Sequence, residues 1–158
     1  MTESLRVVPR AGVGREAWDA FVDRSDEAWL WHRYDLQDAL ATLPGRRDAS
    51  FALYSGDELV AVVPVHVIEY VQAHVLHFAA LESFGGPATS PDLGTRHRGR
   101  VLDQVMAELH HLAGQRRTTR IDMALSPLTP ALRGDRCPRT NPLLDLGMEN
   151  TLTQAWIV

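Results

Sequence analysis

Nine of the chain's sixteen arginines fall between residues 96 and 139, against four acids, and the sequence contains no lysine. Residues 1–95 carry seven arginines against fourteen acids, so the positive segment stands on an otherwise acidic protein. Such a segment could steer a phosphate-bearing ligand, although a solvated helix face would carry the same charge. At its start, Arg96-His97-Arg98-Gly99 opens a run of helical periodicity just after a β-rich run. The free N–H groups of a helix N-terminus bind anions. A Walker loop needs a lysine, and no G-x-G-x-x-G fingerprint occurs. The remaining chemistry-bearing residues are scattered. The histidines show no ligand spacing with Cys, Asp or Glu, and His110 and His111 diverge by about 100° on a helix, so they share no metal. Cys137 has no partner base in the sequence and reads as a free loop thiol. One local feature differs from the rest: Phe84-Gly85-Gly86-Pro87, where two glycines and a proline let backbone turn tightly and lie close to a ligand.

The elements that must position these residues read as mixed α and β. "LRVVP" is a first strand, and "GREAWDAFVDRS" places Trp18, Phe21 and Val22 at helical spacing. "YDLQDALATL" is a second helix with Leu36, Ala39, Leu40 and Leu43 on one face, ended by Pro44-Gly45. "ASFALYSGDELVAVVPVHVIEY" is a hairpin turning at Ser55–Glu58, with Pro64 marking an edge or bulge. "HVLHFAAL" is a third strand. The longest helix spans Thr95–Gly114 and turns Val101, Leu102, Val105, Met106, Leu109 and Leu112 to the core. "RIDMAL" follows as a strand, then a long loop rich in Pro, Gly and Arg, then "TLTQAWIV" as a last strand.

This order, with the "WDAFVDRS" helix, the "GDELVAVVPV" hairpin and the Phe84–Pro87 turn, resembles the N-terminal half of the Fem-type aminoacyltransferases and their acetyltransferase-like relatives. The resemblance covers about residues 15–158. Arg96 and Gly99 also match the Q/R-x-x-G-x-G/A loop with which GNAT acetyltransferases hold the pyrophosphate of acyl-CoA, while Val101 stands where a small residue is usual. The resemblance implies a GNAT-like α+β fold, a central and mostly antiparallel sheet flanked by helices, with a splay between the strands at 74–81 and 119–125. It implies N-acyl transfer, acetyl or aminoacyl, to an amine. Phe84, Gly85, Gly86 and Pro87 would then border the substrate cleft with Trp31, Arg33 and Tyr34. His32 or a carboxylate would serve as general base, and Arg96, Arg98 and Gly99 would meet the donor's phosphates.

No resident cofactor is expected. The donor implied is acetyl-CoA or an aminoacyl-tRNA, and the acceptor a small-molecule or peptidoglycan-precursor amine. Residues 1–158 read as one GNAT-like domain and as the N-terminal half of a two-half protein, partnered by a second GNAT-like half or by a second copy. A β-branched Val101 where backbone must approach phosphate predicts weak binding of acetyl-CoA by this chain alone. The alternative is a non-catalytic GNAT-fold module acting with a partner chain. A net charge of −4 argues against a nucleic-acid-binding domain.

Length and composition agree with this reading. A chain of 158 residues can bury a core of its own, and 45% apolar with 23% charged residues is ordinary for a soluble domain. One cysteine allows no internal disulfide. No apolar run reaches the roughly 18 residues of a membrane span, and the polar start is no signal peptide. A cytoplasmic protein is expected.

Overall fold

A computed structural model describes residues 4–72 and 75–150. The elements are β1 (Leu5–Pro9), α1 (Arg10–Val13), α2 (Arg15–Arg24), a 3-10 turn (Leu30–His32) and α3 (Tyr34–Ala41). Then come β2 (Arg46–Asp48), β3 (Phe51–Ser55), β4 (Glu58–Val63), β5 (His66–Gln72), β6 (Val75–Phe84) and β7 (Ala88–Thr89). The long helix α4 (Thr95–Arg116) leads to β8 (Arg120–Ala124). Beyond it, short 3-10 turns at Pro130–Leu132, Gly134–Arg136 and Pro142–Leu146 shape the segment that reads as a long loop. The expected closing strand "TLTQAWIV" lies outside the described residues.

Among the described residues the expected central sheet is built as two four-stranded sheets, ordered β1-β3-β4-β7 and β2-β5-β6-β8. Every pairing is antiparallel except the parallel one between β6 and β8. The chain passes from β4 to β5 through Pro64 and from β6 to β7 through Gly85-Gly86-Pro87, so two long strands are each shared between the sheets. Pro64 has no N–H to give a ladder, which ends one sheet there. Gly85 and Gly86, at φ +99° and +70°, make the matching bend in the other strand. The Ser83 hydroxyl donates to the Pro64 carbonyl at 2.5 Å and ties the two bends together.

The first sheet is apolar on both faces, as its near-continuous apolar runs require. On one face Val101, Val105 and Leu109 of α4, all fully buried, pack on Phe51, Leu53 and Val63, and on Leu81 from the second sheet. On the other, Trp18, Phe21 and Val22 of α2 pack on Ala52, Val62 and Ala88. Each such aliphatic or aromatic side chain contributes about 1.5–3 kcal/mol by leaving water. Both helices therefore sit where their spacing predicts.

Helix α3 differs. Its expected apolar face is not the inward one: Ala39 is exposed, Leu43 is 46% exposed, and Gln37 is the buried residue. The cause is polar. The Gln37 side-chain amide donates to the Trp31 carbonyl at 2.5 Å, and the Gln37 backbone carbonyl faces His66 Nε2 at 3.4 Å. The helix lies over a polar part of the second sheet, where hydrogen bonds decide which side faces in.

Buried Arg10 locks this corner. It donates to Asp48 at 2.9 Å, Asp38 at 2.6 Å and the Tyr34 carbonyl at 3.1 Å, joining the end of β1 to α3 and β2. Arg10→Ala should lower stability by about 2–3 kcal/mol in urea melts, since it strands two carboxylates and a carbonyl. A change below about 0.5 kcal/mol would show that water replaces the guanidinium without loss.

Candidate functional site

Gly85 is the last residue at which β6 and β8 stay joined. Their parallel register runs from Ala80↔Arg120 to Phe84↔Ala124, and the Gly85 N–H donates to the Ala124 carbonyl at 2.6 Å. Past that bond the strands part, because the glycine bend sends β7 to pair with β4. The splay expected between 74–81 and 119–125 is absent where those runs meet, since residues 79–81 bond to 119–121; the strands part only beyond Gly85.

The bend is pinned from one side by the turn Leu30–His32. His32 is fully buried. Its Nδ1 accepts the Trp29 N–H at 3.1 Å, and its Nε2–H donates to the Gly86 carbonyl at 3.0 Å, which fixes the proton on Nε2. The His32 carbonyl in turn accepts the Trp18 indole N–H at 2.6 Å. A Cβ added at Gly85 would stand 2.5 Å from His32 Cε1. Burial pushes His32 down from 6.5 to about 4. With both ring nitrogens engaged and no exposed edge, His32 fits a positioning role rather than the general-base role expected of it.

Trp31 reaches the same turn, its ring 5.1 Å from that of Phe84. Phe84 also faces the Arg46 guanidinium at 5.6 Å, and Arg46 holds Glu82 at 2.5 Å. Arg33 and Tyr34 do not join them. Arg33 turns outward to an ion pair with Asp23, and the Tyr34 ring lies 4.0 Å under the Arg10 guanidinium, edge-on to Trp18. Two residues of the four in that segment therefore meet the glycine turn.

On the other side of the bend, the parting strands open a cleft of about 320 Å³. Gly85 and Pro87 form one wall, Leu125 and Ser126 the other, Arg98 and Leu102 of α4 a third side, and Leu143 lies in the roof. Glu27 also lines the cleft; it accepts the N–H of buried Thr89 at 2.8 Å and the Thr89 hydroxyl at 2.6 Å, and pairs with Arg98. Its neighbour Asp26 pairs with Arg136 at 2.8 Å. Among the described residues no group of His, Cys, Asp and Glu comes together to hold a metal ion. None of the described helices is long and apolar enough to cross a membrane.

Arg98 is thus brought to the cleft, while Arg96 and Gly99 lie exposed on the first turn of α4. Gly94 is the N-cap of that helix, and no side chain caps it. Val101, expected to crowd a phosphate there, is fully buried in the core. It stands about 140° round the helix from Arg96, so its branched side chain faces the core, on a different side from the exposed Arg96. Sequence reasoning missed Glu27 and Thr89. Seventy-one positions separate Glu27 from Arg98, and no local pattern marks a contact at that range.

No protein-family model matches the chain, and no curated protein matches it in sequence. Solved structures do match its fold. The aminoglycoside antibiotic 6'-N-acetyltransferase AAC(6')-Ih from Acinetobacter baumannii superposes with a TM-score of 0.60 at 12% identity, over 98% of this chain and 97% of that one. The aminoglycoside N-acetyltransferase AAC(6')-Iy, solved in complex with CoA, does so with a TM-score of 0.58 at 13% identity, over 98% and 93%. A transcriptional regulator from Bacillus halodurans C-125 gives 0.60 at 12% identity, over 98% and 99%. At these identities the likeness is one of fold alone. The chain has the α+β fold of the GNAT acetyltransferases.

Proposed function

We propose that the chain is an N-acyltransferase that moves an acyl group from a phosphate-bearing thioester to a small-molecule amine. The observation that carries this reading is the cleft opened where β6 and β8 part, with the uncapped N-terminus of α4 beside it. A slender thioester arm fits between parting strands, and helix N–H groups with Arg96 suit the donor's phosphates. The Gly86 N–H, which has no acceptor among the described residues, is the backbone donor we assign to the thioester carbonyl. The amine nitrogen attacks the carbonyl carbon, the carbonyl electron pair moves to oxygen, and its return expels the thiolate. The proton released from nitrogen goes to a carboxylate or to water, because His32 has no free lone pair. Catalysis then rests on positioning and on a preformed oxyanion site.

Acetyl-CoA suits this cleft better than an aminoacyl-tRNA. The segment 126–147 roofs the opening, and two of its nearby arginines, Arg98 and Arg136, are already paired with Glu27 and Asp26. A folded RNA would need a broad, unpaired basic face. With Val101 buried, the steric ground for weak binding is gone, and the donor site we propose lies on this chain. Calorimetry should give micromolar affinity for acetyl-CoA, weakened about tenfold in Arg96→Ala, which removes roughly 1.4 kcal/mol of phosphate contact. Thiol release in the presence of a panel of amines would report turnover. No heat at millimolar acetyl-CoA from folded protein would overturn the reading.

A further inference from the structure

One of the side chains lining the cleft, Glu27, is engaged by groups of the chain itself. Among the described residues strand β7 is the edge of its sheet and pairs with β4 alone, so N–H groups on its outer side have no strand partner there. The Thr89 N–H is one of them, and it meets Glu27 instead, together with the Thr89 hydroxyl. The other Glu27 oxygen takes Arg98 from the first turns of α4. One residue earlier, Asp26 holds Arg136, and its carbonyl accepts the Ala131 N–H at 2.9 Å. Two consecutive acids therefore tie β7 and α4 to the segment that roofs the cleft.

A strand-edge N–H, a hydroxyl and an arginine converging beside a helix N-terminus form a donor set for a carbonyl or an anion. Glu27 fills it from within. Resting on the reading that a phosphate-bearing acyl thioester enters this cleft, we propose that Glu27 is a displaceable internal ligand, steadied by buried Thr89 and holding the Arg98 guanidinium until the donor takes it. The side chains allow the exchange: Glu27 is 25% and Arg98 41% exposed, so the carboxylate has a route to water. A partly exposed ion pair adds little stability, and releasing it is cheap. A donor carrying several negative charges replaces one carboxylate with a stronger partner for Arg98. The latch lowers apparent affinity by the fraction of molecules in which it is shut.

Calorimetry with acetyl-CoA on the full chain tests this, comparing the wild type with Glu27→Gln, Asp26→Asn and Thr89→Val, each checked by thermal melting. Glu27→Gln keeps the shape but frees Arg98, and it should bind acetyl-CoA at least about fivefold tighter. Thr89→Val loosens the latch without changing charge and should tighten binding in the same direction by a smaller factor. Asp26→Asn, whose pair with Arg136 is exposed on both sides, should change affinity by less than about twofold. If the wild type binds and neither Glu27→Gln nor Thr89→Val binds tighter, the latch is refuted while the acyltransferase reading stands. If all four folded proteins ignore acetyl-CoA, the reading falls and the latch falls with it.

Discussion

Alanine at Gly85 should destabilise the protein by about 3 kcal/mol or more, and alanine at Gly86 by about 1–2 kcal/mol. The two glycines are neighbours, yet their surroundings differ. At Gly85, φ is +99°, a conformation that L-residues rarely adopt, and the added Cβ would meet the buried His32 ring at 2.5 Å. That ring is held at both nitrogens and cannot retreat without breaking the Trp29 and Gly86 hydrogen bonds. At Gly86, φ is +70°, close to the left-handed region, and the nearest atom is Leu125 Cδ2 at 2.8 Å, the far end of a side chain. A leucine methyl moves more cheaply than a pinned imidazole. Leu125 also lines the cleft, so what Gly86→Ala spares in stability it should lose in donor binding. Urea melts of both variants, with acetyl-CoA titrations of whichever folds, give the measurement. Equal losses of stability would mean that His32 yields as easily as Leu125, and that the pin is not rigid.

That contrast shows what was legible in the sequence. Two glycines before a proline announce a tight turn, and the spacing of Val101, Val105 and Leu109 announces the helix face that packs above it. Local patterns are enough for both. The convergence of Trp31 and His32 on Phe84–Gly86 followed from family resemblance, and the structure brings those residues together. Arg33 and Tyr34 point elsewhere, because a four-residue segment entering a helix cannot turn every side chain to one side. The inward side of α3 was hidden because Gln37 is buried by a hydrogen bond to a carbonyl six residues away, which no hydrophobic pattern records. Pro64 was legible as a break, but not as the point where one β-run changes sheets. The Fem-type resemblance points to a two-half aminoacyltransferase. The solved neighbours that superpose here include aminoglycoside acetyltransferases, over nearly the whole chain. Order of elements is shared across a whole fold and discriminates poorly within it.

Protonation of His32 should be the largest pH-dependent term in the stability of this fold. The neutral ring is required, since Nδ1 must accept the Trp29 N–H. Burial holds the folded-state value down at about 4, against 6.5 for an unhindered histidine. The folded state therefore resists the proton that the unfolded chain takes up. Stability is fully present above pH 6.5 and falls as pH drops toward 4, by about 1.4 kcal/mol per unit and about 3 kcal/mol in all. His66 is also held down by burial, so it adds slope of the same sign. A His32→Gln variant separates the two. It should start about 2–3 kcal/mol less stable at pH 7.5, having lost packing and one of two hydrogen bonds, but its stability should fall with pH by one proton less. Urea melts between pH 4.5 and 8 would read this directly. Parallel wild-type and variant curves would show that His32 takes up its proton in the folded state near 6.5, with water reaching the ring. A solvated His32 would regain a lone pair for the amine, and the base in the proposed reaction would then be this histidine rather than a carboxylate.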